Sequence, residues 1–254
     1  MNGLSRQIVL LLVTVSTLVM NALSTSLPLF GHSNEEISGN LPNAFTPAGV
    51  TFAVWGVIFL GLVVFAVYQA LPGQRSARYD ALFWPYLLSN VLNSTWLCAF
   101  QSLHFGLSVL VMLALLASLV WLYVRLDRMR LRGAERFALG VPVSLYLAWI
   151  SVATVANVTA WLVSLGVTQG LAGVSAPVWS AVLACVAGGI GAFMLARRRD
   201  VAFGLVLVWA LYGVYLARPE QGTVVTGVLV AGALLVLGLA FGFGRARRHP
   251  LQLL

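Results

Sequence analysis

The chain has 254 residues, 60% of them hydrophobic and only 9% charged. A soluble globular domain carries roughly 25% charged residues, so this composition excludes that class and points to an all-α chain that uses lipid as its solvent. The net charge is +8, but the cations are placed as membrane anchors, which excludes nucleic acid as their partner.

Runs long enough to cross a hydrocarbon core of about 30 Å recur along the chain at about 7–29, 49–71, 82–103, 106–125, 137–165, 176–196, 201–217 and 223–243. The first is longer than the apolar core of a cleaved leader, and no small-residue cleavage pattern follows it, so it is read as a retained span. After it, "FGHSNEEISGNLPNAFTPA" at 30–48 is the longest connection and carries Glu35 and Glu36. Its Gly, Asn, Ser and Pro predict an ordered or semi-ordered cover rather than a helix, or else a solvated connector. "SLHFG" at 102–106 predicts a tight helical hairpin, and "RLDRMRLRGAER" is expected to rest on anionic headgroups. The Gly-containing stretch 166–175 closes the first five spans, and the last three look like an appended bundle, giving units 1–165 and 166–254. "RRRD" at 197–200 reads as a topology anchor. No strong internal repeat is visible, which argues against an inverted-repeat transporter.

All fifteen basic residues are Arg. In an eight-span model every one except Arg218 falls on the same side as the termini. By the positive-inside rule both termini are then cytoplasmic, with a bacterial inner membrane as the expected host. Cys98 and Cys185 lie within spans without metal-type spacing and read as small apolar fillers.

Three spans carry polar and aromatic residues at helical spacing. Span five places Tyr146, Trp149, Ala153, Asn157 and Trp161 in steps of three and four. Span three places Ser89, Asn93, Trp96 and Phe100 on one face, with Asn90 beside it. Span two places Phe52, Trp55, Phe59 and Ala66 on another. A bare amide in hydrocarbon is costly, so these faces point inward. Two uses remain open at this level. The stripes enclose a pocket suited to a large, flat, mostly apolar ligand, or the amides glue helices together and the indoles are packing or interface residues. Asn93-Ser-Thr95 and Asn157-Val-Thr159 match a glycosylation pattern but lie inside spans. Val120-x-x-Tyr123-x-Arg125 and Leu211-x-x-x-Tyr215-x-x-Arg218 match a loose cholesterol-contact pattern, and Gly238-x-x-x-Gly242 a helix-contact pattern. His104 reads as a lone surface residue of the helical turn.

"PAGVTFAVWGVIFLGLVVFAVY", "LLSNVLNSTWLCAFQSLHFGLSVLVMLALLASLVWLYVRL" and "VSLYLAWISVATVANVTAWLV" resemble, in order, the second, third with fourth, and fifth helices of the TspO/MBR family. These are the tryptophan-rich sensory proteins related to the mitochondrial translocator protein. The resemblance covers roughly residues 7–165. It implies a five-helix bundle, often a homodimer, with a pocket under the first loop that takes porphyrins and drug-like molecules. Carried over by position, it implies that Trp55, then Asn93, Trp96 and Phe100, then Trp149, Ala153 and Asn157 line that pocket. Three extra spans, a first loop without the family's usual tryptophan, and "LVSLGVTQG" in place of the cholesterol-contact segment depart from the pattern.

The expectation is therefore an eight-span membrane protein that binds a flat apolar ligand, a porphyrin or other tetrapyrrole. Its candidate residues are Phe52, Trp55, Phe59, Asn93, Trp96, Phe100, Tyr146, Trp149, Ala153 and Asn157. No obligatory cofactor, metal or catalytic residue is expected, and the lipid bilayer is the standing partner. The alternatives are a light-dependent porphyrin-degrading enzyme, a transporter of another small apolar solute, and a structural partner for another membrane protein.

Overall fold

The computed structural model describes residues 3–27, 30–41 and 44–248, without the side chains of Glu35 and 245–248. The end of the first apolar run, two residues of the first loop, and the side chains of Arg245, Arg247 and Arg248 thus lie outside the described residues. The fold is helical: α1 (Gly3–Ser26), α2 (Asn34–Asn40), α3 (Gly49–Ala70), α4 (Phe83–Gln101), α5 (Phe105–Arg128), α6 (Gly133–Ser164), α7 (Ala176–Arg198), α8 (Val201–Ala217) and α9 (Gly222–Arg248). Six of these, α1, α3, α5, α6, α7 and α9, are long and apolar enough to cross a membrane by length and composition. Helix α8 has 17 residues, about 25 Å at 1.5 Å per residue. Helix α4 carries Ser89, Asn90, Asn93, Ser94, Thr95 and Gln101, which lower its hydropathy. Leu12, Leu60 and Leu110 stand exposed on α1, α3 and α5, as side chains facing acyl chains do.

The chain divides into two compact units, Met1–Leu41 with Ala53–Ser164, and Pro42–Phe52 with Leu165–Leu254. In the first unit the main helix contacts run α1–α4–α5–α6–α3 and back to α1, a closed ring. The most enclosed helix is α6, with 67% of its most apolar window buried. Gly61 lets α3 approach α6, since an added Cβ there would lie 3.1 Å from Pro142 Cβ. The hairpin between α4 and α5 turns within three residues, with Leu103 at φ 61°.

The first loop contains a helix, Asn34–Asn40, where its composition predicts none. Ser33 Oγ accepts the Glu36 amide proton, and the Glu36 carboxylate accepts from the Ser33 amide, closing a capping box that starts α2. Two otherwise orphaned donors are satisfied that way, so Ser33-x-x-Glu36 outweighs the surrounding Gly and Asn.

In the second unit α7, α8 and α9 pack together, and 166–175 forms a small antiparallel hairpin, Gly170–Leu171 with Val174–Ser175. Its turn residues Ala172 and Gly173 both have positive φ, the geometry that matches strand twist. Helices α7 and α9 meet through small residues. A Cβ at Gly188 would lie 2.6 Å from Ala231 Cα, one at Gly227 2.5 Å from Ala181 Cα, and one at Gly238 2.5 Å from Ala192 Cα. Gly242 likewise abuts the Leu195 carbonyl, so Gly238-x-x-x-Gly242 is spent inside the unit. Asp200 of "RRRD" has a local task, accepting the Phe203 amide at 3.0 Å to cap α8.

Candidate functional site: an aromatic wall and two amide layers

Spacing alone brings Tyr146, Trp149, Ala153 and Asn157 to one face of α6, and the first unit shows what that face meets. Trp55 and Phe59, one turn apart on α3, stack at 5.4 Å between ring centroids. Trp55 then meets Tyr146 edge-on at 6.0 Å and Trp149 edge-on at 6.4 Å. Edge-to-face pairs of this kind contribute roughly 0.5–1.5 kcal/mol beyond simple burial. Tyr146 and Trp149 are 1% and 2% exposed, whereas Trp55, Phe59 and Ala153 are half-buried. The wall therefore has a sealed back and an accessible front.

Behind the wall lies an amide layer. Asn21 of α1 donates through Nδ2 to the Thr17 carbonyl at 2.8 Å and to Asn93 Oδ1 at 2.7 Å. A backbone carbonyl can only accept, so the Asn21 nitrogen is fixed on that side, and Asn93 must present its oxygen to Asn21. The Asn93 Nδ2 is thereby turned away, toward Tyr146, whose hydroxyl stands beside it. The two groups face each other, and neither meets a further polar partner among the described residues.

A second layer is closed. Trp96 Nε1 donates to Asn157 Oδ1 at 2.8 Å, and Asn157 Nδ2 donates to Ser108 Oγ at 2.8 Å, tying α4, α6 and α5 together. Trp96 stacks on Phe100 at 5.3 Å, and Phe100 meets Phe105 edge-on. Trp161 lies over Gly106. The structure thus gathers Trp55, Phe59, Asn93, Tyr146 and Trp149 around one wall. It places Trp96, Phe100 and Asn157 in an adjoining layer whose amide is already engaged. Phe52 belongs to the second unit.

Three contributors escaped the sequence reading: Asn21, Ser108, and the Thr14–Tyr86 pair, whose hydroxyls lie 2.7 Å apart. A signal for α1 was present. Gln7, Thr14, Thr17, Asn21 and Ser24, all buried, recur at multiples of three and four within an apolar run. From Thr14 on this stripe faces α4, where Thr17 reaches the Asn90 carbonyl and Ser24 offers its carbonyl to Gln101, while Gln7 donates to the Gln69 and Leu71 carbonyls.

The ionic groups of this unit gather elsewhere, at the end where α1 begins. Arg6, 1% exposed, pairs with Asp80, donates to the carbonyls of Gln74 and Ser76, and lies 5.8 Å from the Tyr79 ring. Arg78 pairs with Glu135 at 3.0 Å, and Tyr79 donates to Glu135 at 2.7 Å. Burial, reinforced by that carboxylate, pushes the Tyr79 phenol up to about 12. His104 is exposed beside Ser102. No cluster of three His, Cys, Asp or Glu suited to a metal occurs among the described residues.

Residues 7–241 match the model of the TSPO-like protein family. No curated protein and no solved structure matches the chain. The family match runs past residue 165, where the motif resemblance stops, and takes in α7, α8 and most of α9. Apolar helices fit for a bilayer, motif-bearing faces that meet inside the first unit, and a match across nearly the whole length lead to one conclusion: the chain is an integral membrane protein and belongs to the TSPO-like protein family.

Proposed function

We propose that the protein binds a flat, mostly apolar ligand of the tetrapyrrole class against the wall of Trp55, Phe59, Tyr146 and Trp149, and that it binds without turnover. The observation that carries this reading is the continuous aromatic surface of Trp55, Phe59, Tyr146 and Trp149, sealed behind and accessible at its Trp55–Phe59 front. A flat ring would lie against the indole of Trp55. Stacking and apolar contact are what these groups supply. Ala153 leaves space at the edge of the wall, and Asn157 and Trp96 hold the neighbouring helices at fixed spacing.

In the same reading all eight long helices cross the membrane, the Arg-rich ends and both termini are cytoplasmic, and the host is a bacterial inner membrane. The chain pairs as a homodimer. Helix α4 crosses in spite of its polarity because Asn93, Trp96 and Gln101 bond to α1 and α6, and its hydroxyls bond back to its own carbonyls.

The test is titration of protoporphyrin IX with purified protein, followed by porphyrin and tryptophan fluorescence. The expected dissociation constant is low micromolar, about 8 kcal/mol. Trp149→Ala is expected to weaken it about thirtyfold. Equal binding by wild type and Trp149→Ala would refute the wall as the site.

A further inference from the structure

The role of α7–α9 is legible in what they hold. The segment from Ala44 to Phe52, the last part of the first loop and the opening turn of α3, belongs to the second unit. Three hydrogen bonds fix it there. Ser180 Oγ of α7 donates to the Ala44 carbonyl at 2.8 Å, the Ala48 amide donates to the Gly213 carbonyl of α8 at 2.9 Å, and Trp209 Nε1 of α8 donates to the Thr51 carbonyl at 2.9 Å. Phe45 is 3% exposed and Thr51 fully buried. Gly213 makes the seat: a Cβ there would run into Thr51 Cγ2 and lie 2.9 Å from Pro47 Cβ. The Ala48 carbonyl also organises the turn itself, accepting from both the amide and the hydroxyl of Thr51.

This turn, Gly49–Ala53, runs without a break into the helix Val54–Ala70. Trp55 follows Thr51 by four residues, about one helical turn. A grip on the backbone of 44–52 therefore constrains, through the chain itself, where that helix begins and how far Trp55 can wander.

We propose that α7 and α8 act as a clasp on residues 44–52, with Ser180, Trp209 and Gly213 as positioning residues for Trp55, so that loosening the clasp loosens the aromatic wall. The consequence for affinity rests on the ligand reading above; the mechanical claim does not.

The experiment is hydrogen–deuterium exchange on the full chain in nanodiscs, paired with protoporphyrin IX titration. The variants are Trp209→Phe, Gly213→Ala, Gly213→Ala with Thr51→Ser, and the control Trp179→Phe, which removes an indole bond to the Leu171 carbonyl elsewhere in the same unit. Trp209→Phe is expected to speed exchange about tenfold over 44–53 and to carry the effect into 54–58. Exchange over 141–160 should stay unchanged. Porphyrin affinity should fall about fivefold. Gly213→Ala should do more, and Thr51→Ser should partly restore it by deleting the colliding methyl group. Trp179→Phe should leave 44–58 and affinity unaltered.

The clasp is overturned if exchange over 44–58 is unchanged in Trp209→Phe and Gly213→Ala, or if acceleration stops at residue 53. If affinity holds while 54–58 loosens, the clasp stands and the wall is refuted as the ligand site. If wild type does not bind porphyrin, the functional reading fails, and propagation into 54–58 still decides the clasp.

Discussion

The two units solve the same problem with opposite chemistry. In lipid, hydrophobic burial cannot drive helices together, so close packing and hydrogen bonds must. The second unit uses close packing: Gly188, Gly227, Gly238 and Gly242 bring α7 and α9 together until backbone meets backbone. The first unit uses side-chain polarity, with Asn21–Asn93, Trp96–Asn157–Ser108 and Thr14–Tyr86 joining helices pairwise. A seam of small residues leaves nothing to offer a ligand. A seam of amides and phenols keeps polar atoms in its interior, as at Asn93 and Tyr146. The proposed ligand site belongs to that polar seam.

That contrast can be broken most sharply in the second unit. Gly227→Leu must push a side chain into the Ala181 backbone, and is expected to cost about 3 kcal/mol or more. A thermal melt in detergent should show a large downward shift with the first unit's near-ultraviolet signal retained. A variant as stable as wild type would show that the seam is loose. In the first unit, Asn157→Ala leaves the Trp96 indole unmatched and takes one donor from Ser108, whose hydroxyl keeps its bond to the Phe105 carbonyl. In lipid such ties average well under 2 kcal/mol, so a loss of roughly 1 kcal/mol is expected, measured by the same melt. A larger loss than in Gly227→Leu would reverse the comparison.

The smallest effect concerns Tyr79, outside the membrane-spanning segments. Its phenol is held protonated to about 12 by burial and by Glu135, against about 10 for an ordinary tyrosine. The folded pKa is the higher one. The stabilisation is therefore complete below about pH 10 and lost as pH rises through 12. Melting temperatures from pH 9 to 12 should decline less steeply in Tyr79→Phe than in wild type; parallel curves would remove Tyr79 from the network.

The sequence showed the wall better than its support. Tyr146, Trp149 and Trp55 were found because large aromatic residues at helical spacing stand out in an apolar run, and three- and four-residue steps fix their face. Asn21 is silent in the sequence, because a single amide among Leu, Val and Thr gives no sign of the Asn93 partner 72 positions away. The seat at Gly213 was equally silent, since a glycine in an apolar helix looks the same whether it faces lipid or Pro47. The helix α2 was overlooked for another reason: its capping box was written in Ser33 and Glu36 but surrounded by turn formers.

The sequence by itself determined the solvent and the helical segments, because hydrocarbon tolerates only internally bonded backbone and long apolar runs. It also marked which helix faces shun lipid, since helical periodicity is local. Tertiary structure alone decided which amides are satisfied and which are not, and it gave residues 44–52 to the second unit. Those outcomes depend on distances between residues far apart in the chain, and no local pattern encodes them.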